Sequence, residues 1–160
     1  MTAKTTCIEM CAPGVNVAVV KRDDDGWKFL IVQRGPSESY GGCWGLLTGM
    51  KESQETAAQI AVREVREELG LKPDVMWSTE HLIQFYEPEF DQIWILPLIV
   101  AIVPKEAKVE LHDPENSDFK WLDPFRAKKQ VTWKNLVCAI GQVAEELEVY
   151  PARTWVDIRA

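Results

Sequence analysis

The sequence predicts an α/β or α+β sandwich, and three observations carry that expectation. Two β-branched apolar runs, "GVNVAVVKR" and "WKFLIVQRG", flank a short "DDDG" connection. A helical pattern then runs from Ala58 to Leu69, and further strand-like runs lead to a second helical pattern near the end of the chain. Strands enclosing one helix and followed by another bury both faces of a sheet only when helices cover them.

Taken in order, Asp and Gly in "DDDG" suit a tight connection, so residues 14–35 read as a hairpin. "PSESYGGC" is a Gly/Ser-rich loop, and "WGLLTGMKE" a short strand leading to Ser53 as the expected N-cap. Ala58, Ala61, Val62, Val65 and Leu69 recur at helical spacing and form one apolar face, which Gly70 stops. "HLIQFYEPE" and "DQIWILPLIVAIV" are two more strands, Pro97 marking an edge or a bulge in the second. "HDPENSDFKWLD" is a loop entering a short strand, and the last helix spans about Asn135 to Val149.

At 160 residues the chain is expected to form one domain, residues 13–160, behind an N-terminal tail of residues 1–12. Hydrophobic residues at 46% with seven Trp argue for a folded core rather than disorder. The net charge of -7 repels long nucleic acid and anionic membrane surfaces, so a small phosphorylated ligand offset by metal or local cations is the expected partner. The first residues lack the apolar run of a signal peptide, and "IWILPLIVAIV" is too short to span a bilayer, which points to the cytoplasm. Cys7, Cys11, Cys43 and Cys138 fit reduced thiols there, and no second Cys/His pair completes a zinc site with Cys7 and Cys11. The oligomeric state stays open, a dimer included.

Glu64, Glu67 and Glu68 fall within an arc of roughly 100° at the edge of the apolar stripe, because a helix turns once in 3.6 residues. Like charges so placed repel. A divalent cation among them would remove that cost, and clustered carboxylates are hard ligands suited to Mg²⁺ or Mn²⁺ with phosphate oxygens and water. A solvated face with ion pairs to Arg63 and Arg66 is the alternative that spacing alone leaves open.

The wider spacing is more specific. Gly49, Glu55, Arg63, Glu64, Val65, Glu67, Glu68, Gly70 and Leu71 resemble the Nudix box at every specified position over 23 residues. The resemblance implies a Nudix-type α/β/α sandwich with a mixed sheet, and hydrolysis of a nucleoside diphosphate linked to another group. It implies Glu64, Glu67 and Glu68 as metal ligands, the Gly49 carbonyl as a further one, and a supporting ion pair between Glu55 and Arg63. Where relatives often carry a second Gly after the first, this chain has Met50.

"PENSDFKWLD" is similar to a segment of the dihydroneopterin triphosphate and dATP pyrophosphohydrolase branch, which implies Glu115 as a further ligand or as the base that deprotonates water. In the same branch "VTWKNL" begins the last helix, placing Trp133 and Asn135 near the pocket. Arg34 sits where relatives often have Arg and has the donor fork to hold a phosphate. Tyr40 and Trp44 have rings able to stack on a base, core burial being the competing role for Trp44. Phe85 and Tyr86 alternate on a strand, so one faces inward.

Rival chemistries lack residues. His81 and His112 are the only histidines, no Ser or Cys sits in a nucleophile motif, and no P-loop is present. The expectation is an Mg²⁺-dependent (or Mn²⁺-dependent) pyrophosphohydrolase of a small nucleoside or pterin triphosphate. Hydrolysis of a dinucleoside polyphosphate or ADP-ribose, and a nucleotide-binding regulator without catalysis, are the alternatives; Tyr86 and Pro88, near the class-marking positions, select neither substrate.

Overall fold

The computed structural model describes residues 7–112 and 114–149. The strands are β1 (Glu9–Cys11), β2 (Gly14–Asp23), β3 (Gly26–Arg34), β4 (Trp44–Gly45), β5 (Leu47–Met50), β6 (Val75–Glu87), β7 (Gln92–Ile102) and β8 (Asn116–Leu122). The helices are α1 (Ala57–Leu69), α2 (Pro124–Gln130) and α3 (Lys134–Glu148). All eight strands belong to one mixed sheet with the main order β1-β7-β2-β3-β4; β6 pairs with β7, β5 with β2 and β8 with β3. Only the pairings of β7 with β1 and β2 are parallel.

Alternation along the central strands sorts their side chains into two cores. Val15, Val17, Val19, Leu30, Val32, Ile99 and Ala101 face α1, where they meet Ile60, Ala61, Val65 and Leu69. Ala18, Val20, Phe29, Ile31, Leu96, Leu98 and Val100 face α2 and α3, meeting Ala127, Leu136, Ala139, Ile140 and Val143. Strands buried on both faces read as continuous apolar runs, the pattern seen in the sequence. The result is a three-layer α/β/α arrangement. Leu69 is fully buried, a burial that stabilises the fold by about 2 kcal/mol.

The two halves of the hairpin part company. β2 and β3 pair only from Val20–Phe29 to Asp23–Gly26. Beyond that point β2 pairs with β5, from Gly14–Met50 to Val17–Leu47, while β3 pairs with β4 at Val32–Gly45 and Gln33–Trp44. The sheet therefore splits at its middle.

Several boundaries differ from the sequence reading. Residues 9–11, assigned to a tail, form a parallel edge strand on β7, where Cys11 Sγ and Gln92 Nε2 bind Gln92 Oε1 and Glu9. The helix α1 is capped by Thr56 rather than Ser53: Gln59 N–H donates to Thr56 Oγ1 at 3.3 Å and Thr56 N–H donates to Gln59 Oε1 at 2.9 Å. Gly70 ends it with φ of 65°, as the Gly at that place suggested. Pro97, expected at an edge or a bulge, faces Leu82 where the β6–β7 register shifts, and it falls between the stretches of β7 that pair with β1 and with β2, so the bulge is the alternative that holds. A turn of helix, α2, was not foreseen, although Asp123 followed by Pro124 is an N-cap before a proline at the first helical position. All four cysteines are free, and among the described residues no helix is long and apolar enough to cross a membrane. The expected domain end at residue 160 lies outside the described residues.

Because the Thr56 side chain and Gln59 satisfy each other's orphaned N–H groups, Thr56→Ala is expected to lower stability by about 1 kcal/mol in chemical denaturation. The same substitution at Ser53, which does not cap the helix, is expected to leave the denaturation midpoint within about 0.5 kcal/mol of the parent.

Candidate active site

The helix α1 lies so close to β5 that a Cβ on Gly49 would collide with the Glu64 side chain and with Ile60. That close approach buries one acidic edge of the helix. Glu64 is 7% and Glu68 5% exposed, whereas the Glu67 side chain remains half exposed.

Arg63 gathers the surrounding groups. Its Nε and Nη2 donate to the two oxygens of Glu55 at 2.8 and 3.1 Å, Nη1 donates to Glu64 at 2.8 Å, and Nη2 also reaches the Met50 carbonyl at 2.8 Å. Glu55 completes a turn by accepting from the Glu52 N–H at 3.2 Å. The paired hydrogen bonds hold the Glu55 carboxyl below its ordinary range and push the Arg63 guanidinium further up. The loop between β5 and α1 is thus fastened to the helix by a single side chain.

Glu68 accepts a short hydrogen bond from Asn116 Nδ2. Burial first, then the hydrogen bond and charge of Glu64, then the charge of Glu115, push the Glu68 carboxyl up to about 9. Two crowded carboxylates cannot both ionise cheaply, so Glu68 keeps its proton near neutrality. Glu67 instead turns toward Arg63 and Arg66, at 3.8 and 3.4 Å.

These groups border a cavity of about 550 Å³. Glu64, Glu67, Glu68 and Glu115 line it together with Arg63, Arg34 and Asn116. The lining is also aromatic: Tyr40 and Trp133 meet edge to face at 5.9 Å, and Phe90 stacks on Trp94 at 5.5 Å. The cavity opens where β2 and β3 separate, so Asn16 and Val32 from the parted strands line it beside Gly45 and Thr48 from the inserted ones.

The structure brings most of the sequence candidates to this one cavity, but not all. Arg34, Tyr40, Trp133 and Asn135 line it. Arg34 is held by the Ser39 carbonyl at 2.8 Å, and Tyr40 stands at φ of 60° with its hydroxyl donating to Glu87 at 3.0 Å. Burial, then that hydrogen bond, push the Tyr40 phenol up, so it stays a proton donor. Trp44 is outside the lining; it packs on the α2/α3 core beneath Lys120 Nζ, 4.3 Å from the ring centre. Gly49 is outside it too, with its carbonyl against Gly14 of β2. Glu55 acts on the site only through Arg63. Phe85 is the inward member of its pair, against Trp94, while Tyr86 is exposed and donates to Asp91 at 2.8 Å.

Sequence reasoning missed Asn16, Asn116 and Glu87, all buried and all on the cavity wall. Asn16 alone left a signal, a polar residue inside an apolar strand.

Among the described residues no three acidic, His or Cys side chains converge into a ready cage for an ion. The donor chemistry still fits a divalent cation. Glu64 and Glu68 are buried side by side, Glu67 and Glu115 border the same space, and every donor is a hard oxygen. Open coordination positions left to water and phosphate oxygens are the usual mode for Mg²⁺.

The NUDIX domain family matches residues 12–137 of the chain. The protein belongs to the NUDIX domain family. Two curated relatives are similar to this Nudix chain: an octanoyltransferase from Myxococcus xanthus, 34% identical over 76% of this chain and 34% of that protein, and a CTP pyrophosphohydrolase from Escherichia coli K12, 38% identical over 38% of this chain and 43% of that protein. The chain thus spans less than half the length of the curated relatives it matches. Among solved structures, a Caenorhabditis elegans Ap4A hydrolase superposes with a TM-score of 0.73 at 16% identity, covering 85% of this chain and 97% of that one. The Escherichia coli dihydroneopterin triphosphate pyrophosphohydrolase superposes with a TM-score of 0.64 at 23% identity, covering 82% and 95%. At these identities the structures show the Nudix fold alone.

The raised Glu68 group has a signed consequence. The folded Nudix domain binds this proton more tightly than the unfolded chain, so its contribution to stability is complete below about pH 4.5 and is lost as pH rises toward about 9. A divalent cation favours the ionised form and reverses the loss. Thermal melts with saturating Mg²⁺ are expected to show a larger stabilisation at about pH 8.5 than at about pH 6; equal shifts at both would contradict this.

Proposed function

We propose that this Nudix protein is a pyrophosphohydrolase that cleaves a small nucleoside or pterin triphosphate to the monophosphate and pyrophosphate. One observation carries the reading: a single cavity is lined both by the carboxylates of Glu64, Glu67, Glu68 and Glu115 and by the rings of Tyr40, Phe85, Phe90, Trp94 and Trp133. That layout suits a ligand with a polyphosphate at one end and a flat heterocycle at the other, and about 550 Å³ is an ordinary size for such a site. The similarity to a CTP pyrophosphohydrolase supports the substrate class. The net charge of -7 supports a small ligand rather than long nucleic acid, and a cytoplasmic setting agrees with it.

Glu64, Glu67, Glu68 and Glu115 would hold Mg²⁺ or Mn²⁺. Such an ion, when bound, neutralises phosphate charge and makes attacking water more acidic. The remaining tasks fall to the chain. Arg63 keeps Glu64 and the β5–α1 loop in register, and Asn116 orients Glu68. Glu115, which lines the same cavity, would serve, in place of a ligand role, as the base that takes the proton from water as its oxygen attacks phosphorus and the bridging P–O bond breaks. Arg34 offers its guanidinium to a phosphate oxygen, and Tyr40 and Trp133 hold the ring.

A panel of nucleoside and pterin triphosphates, a dinucleoside polyphosphate and ADP-ribose, assayed with Mg²⁺, tests the assignment. Triphosphates are expected to be turned over fastest, with pyrophosphate as product. Glu67→Gln removes a half-exposed ligand without disturbing the core and is expected to lower kcat by roughly 100-fold or more, equivalent to about 2.7 kcal/mol of the barrier. Absence of turnover across the panel, or a rate unaffected by Glu67→Gln, would overturn the reading.

A further inference from the structure

The cavity lining holds a buried carboxylate that hydrolysis does not use. Glu87, the last residue of β6, is 4% exposed yet lies on the cavity wall. Its hydrogen bonds come from neutral donors. The Tyr40 hydroxyl lies 3.0 Å from Oε1 and 3.2 Å from Oε2, and the Glu89 N–H donates to Oε1 at 3.1 Å. A carboxylate has about four acceptor sites, so this pair of donors leaves capacity, chiefly on Oε2. Burying an acceptor without its full complement of donors is costly unless a ligand supplies them. A second acceptor belongs to a residue of the same lining: Asn135 Oδ1 is buried and has no hydrogen-bond partner. The same cavity is lined by the rings of Tyr40, Trp133, Phe85 and Trp94.

We propose that Glu87 determines specificity by accepting from a ring that carries an N–H beside an amino group, the edge common to guanine and pterin, with Asn135 as a second acceptor and Tyr40 as the positioning residue for Glu87. Uracil and thymine set a carbonyl on each side of their single N–H, so a carboxylate there faces lone pairs. Adenine and cytosine place an unprotonated ring nitrogen next to the amino group and satisfy only part of the acceptor set. This inference rests on the triphosphate reading for the acidic groups, but it concerns different residues of the lining and is separable from it.

Equilibrium binding of guanosine, neopterin, adenosine and uridine, without metal or phosphate, provides the test. Guanosine or neopterin is expected to bind about tenfold or more tighter than uridine, the range of a good bidentate contact. Whichever of the two binds better identifies the ring system, and either order supports the assignment. Glu87→Gln, checked for folding by its melting transition, is expected to collapse the ratio toward one, and Tyr40→Phe to reduce it part-way. Equal binding of all four, no binding of guanosine or neopterin, or an unchanged ratio in folded Glu87→Gln would overturn the proposal. If Glu87→Gln fails to fold, an unchanged ratio in Tyr40→Phe overturns it. The two readings fail differently: triphosphate turnover without ring preference sinks the role of Glu87 alone, whereas ring preference without turnover sinks the hydrolase alone.

Discussion

The burial of Glu64 beside Glu68 is the constraint around which the rest of the molecule is arranged. Taking a carboxylate out of water costs several kcal/mol unless partners replace its hydration, and two together add repulsion. The fold meets this with specific groups. Arg63 donates to Glu64, Asn116 donates to Glu68, and Glu68 retains a proton. Each partner carries further structure with it. Arg63 also binds Glu55 and the Met50 carbonyl, which fixes the loop before α1. Asn116 begins β8, so the same interaction brings Glu115 to the acidic wall. Gly49 has no side chain because Glu64 occupies the space one would need.

The sheet supplies the space that this charge borders. β2 and β3 do not stay paired along their full length. Their separation beyond Val20–Phe29, with β4 and β5 inserted, opens a cleft in the central layer. One core lies on each side of that cleft. The α1 core furnishes the carboxylates, and the α3 side furnishes Trp133, Asn135 and Leu136. A cavity lined by both carboxylates and aromatic rings follows from drawing its wall from the two helical layers.

How much of this was legible in the sequence follows the range of the interactions involved. The α1 helix, its Gly70 stop and the flanking strands were readable because apolar period and turn residues are local signals. So was the ion pair of Glu55 with Arg63, through a family resemblance confined to one loop and helix. Thr56 in place of Ser53 as the cap was also local, and Gln59 three residues later was the available clue. Other features needed distant partners. Residues 9–11 look like a tail until β7 offers them an edge, and Pro97 reads equally as an edge or a bulge until the β6 register shift opposite it decides for the bulge. Trp44 was readable as aromatic but not as outside the cavity, since its position depends on Thr132 binding its backbone and Lys120 covering its ring. Glu87 left no pattern, because its burial depends on Tyr40 from another loop.

The charge of the cavity also constrains how a polyphosphate can enter it. Its described lining contains two cationic side chains, Arg34 and Arg63. Arg63 is already engaged by Glu55, Glu64 and a carbonyl, and Arg34 by the Ser39 carbonyl and, at 3.9 Å, Glu38. The same lining contains Glu52, Glu64, Glu67, Glu68, Glu87, Glu89 and Glu115. Even with Glu68 protonated, acidic groups outnumber basic ones, so a bare triphosphate meets net repulsion. Attraction must come from the aromatic lining, where stacking and ring hydrogen bonds act without regard to phosphate charge, and from cations that arrive with the substrate or before it. Recognition of the ring and neutralisation of the phosphates are therefore separate physical tasks carried by different groups of one cavity, and a ligand able to satisfy only one set forfeits the contacts of the other.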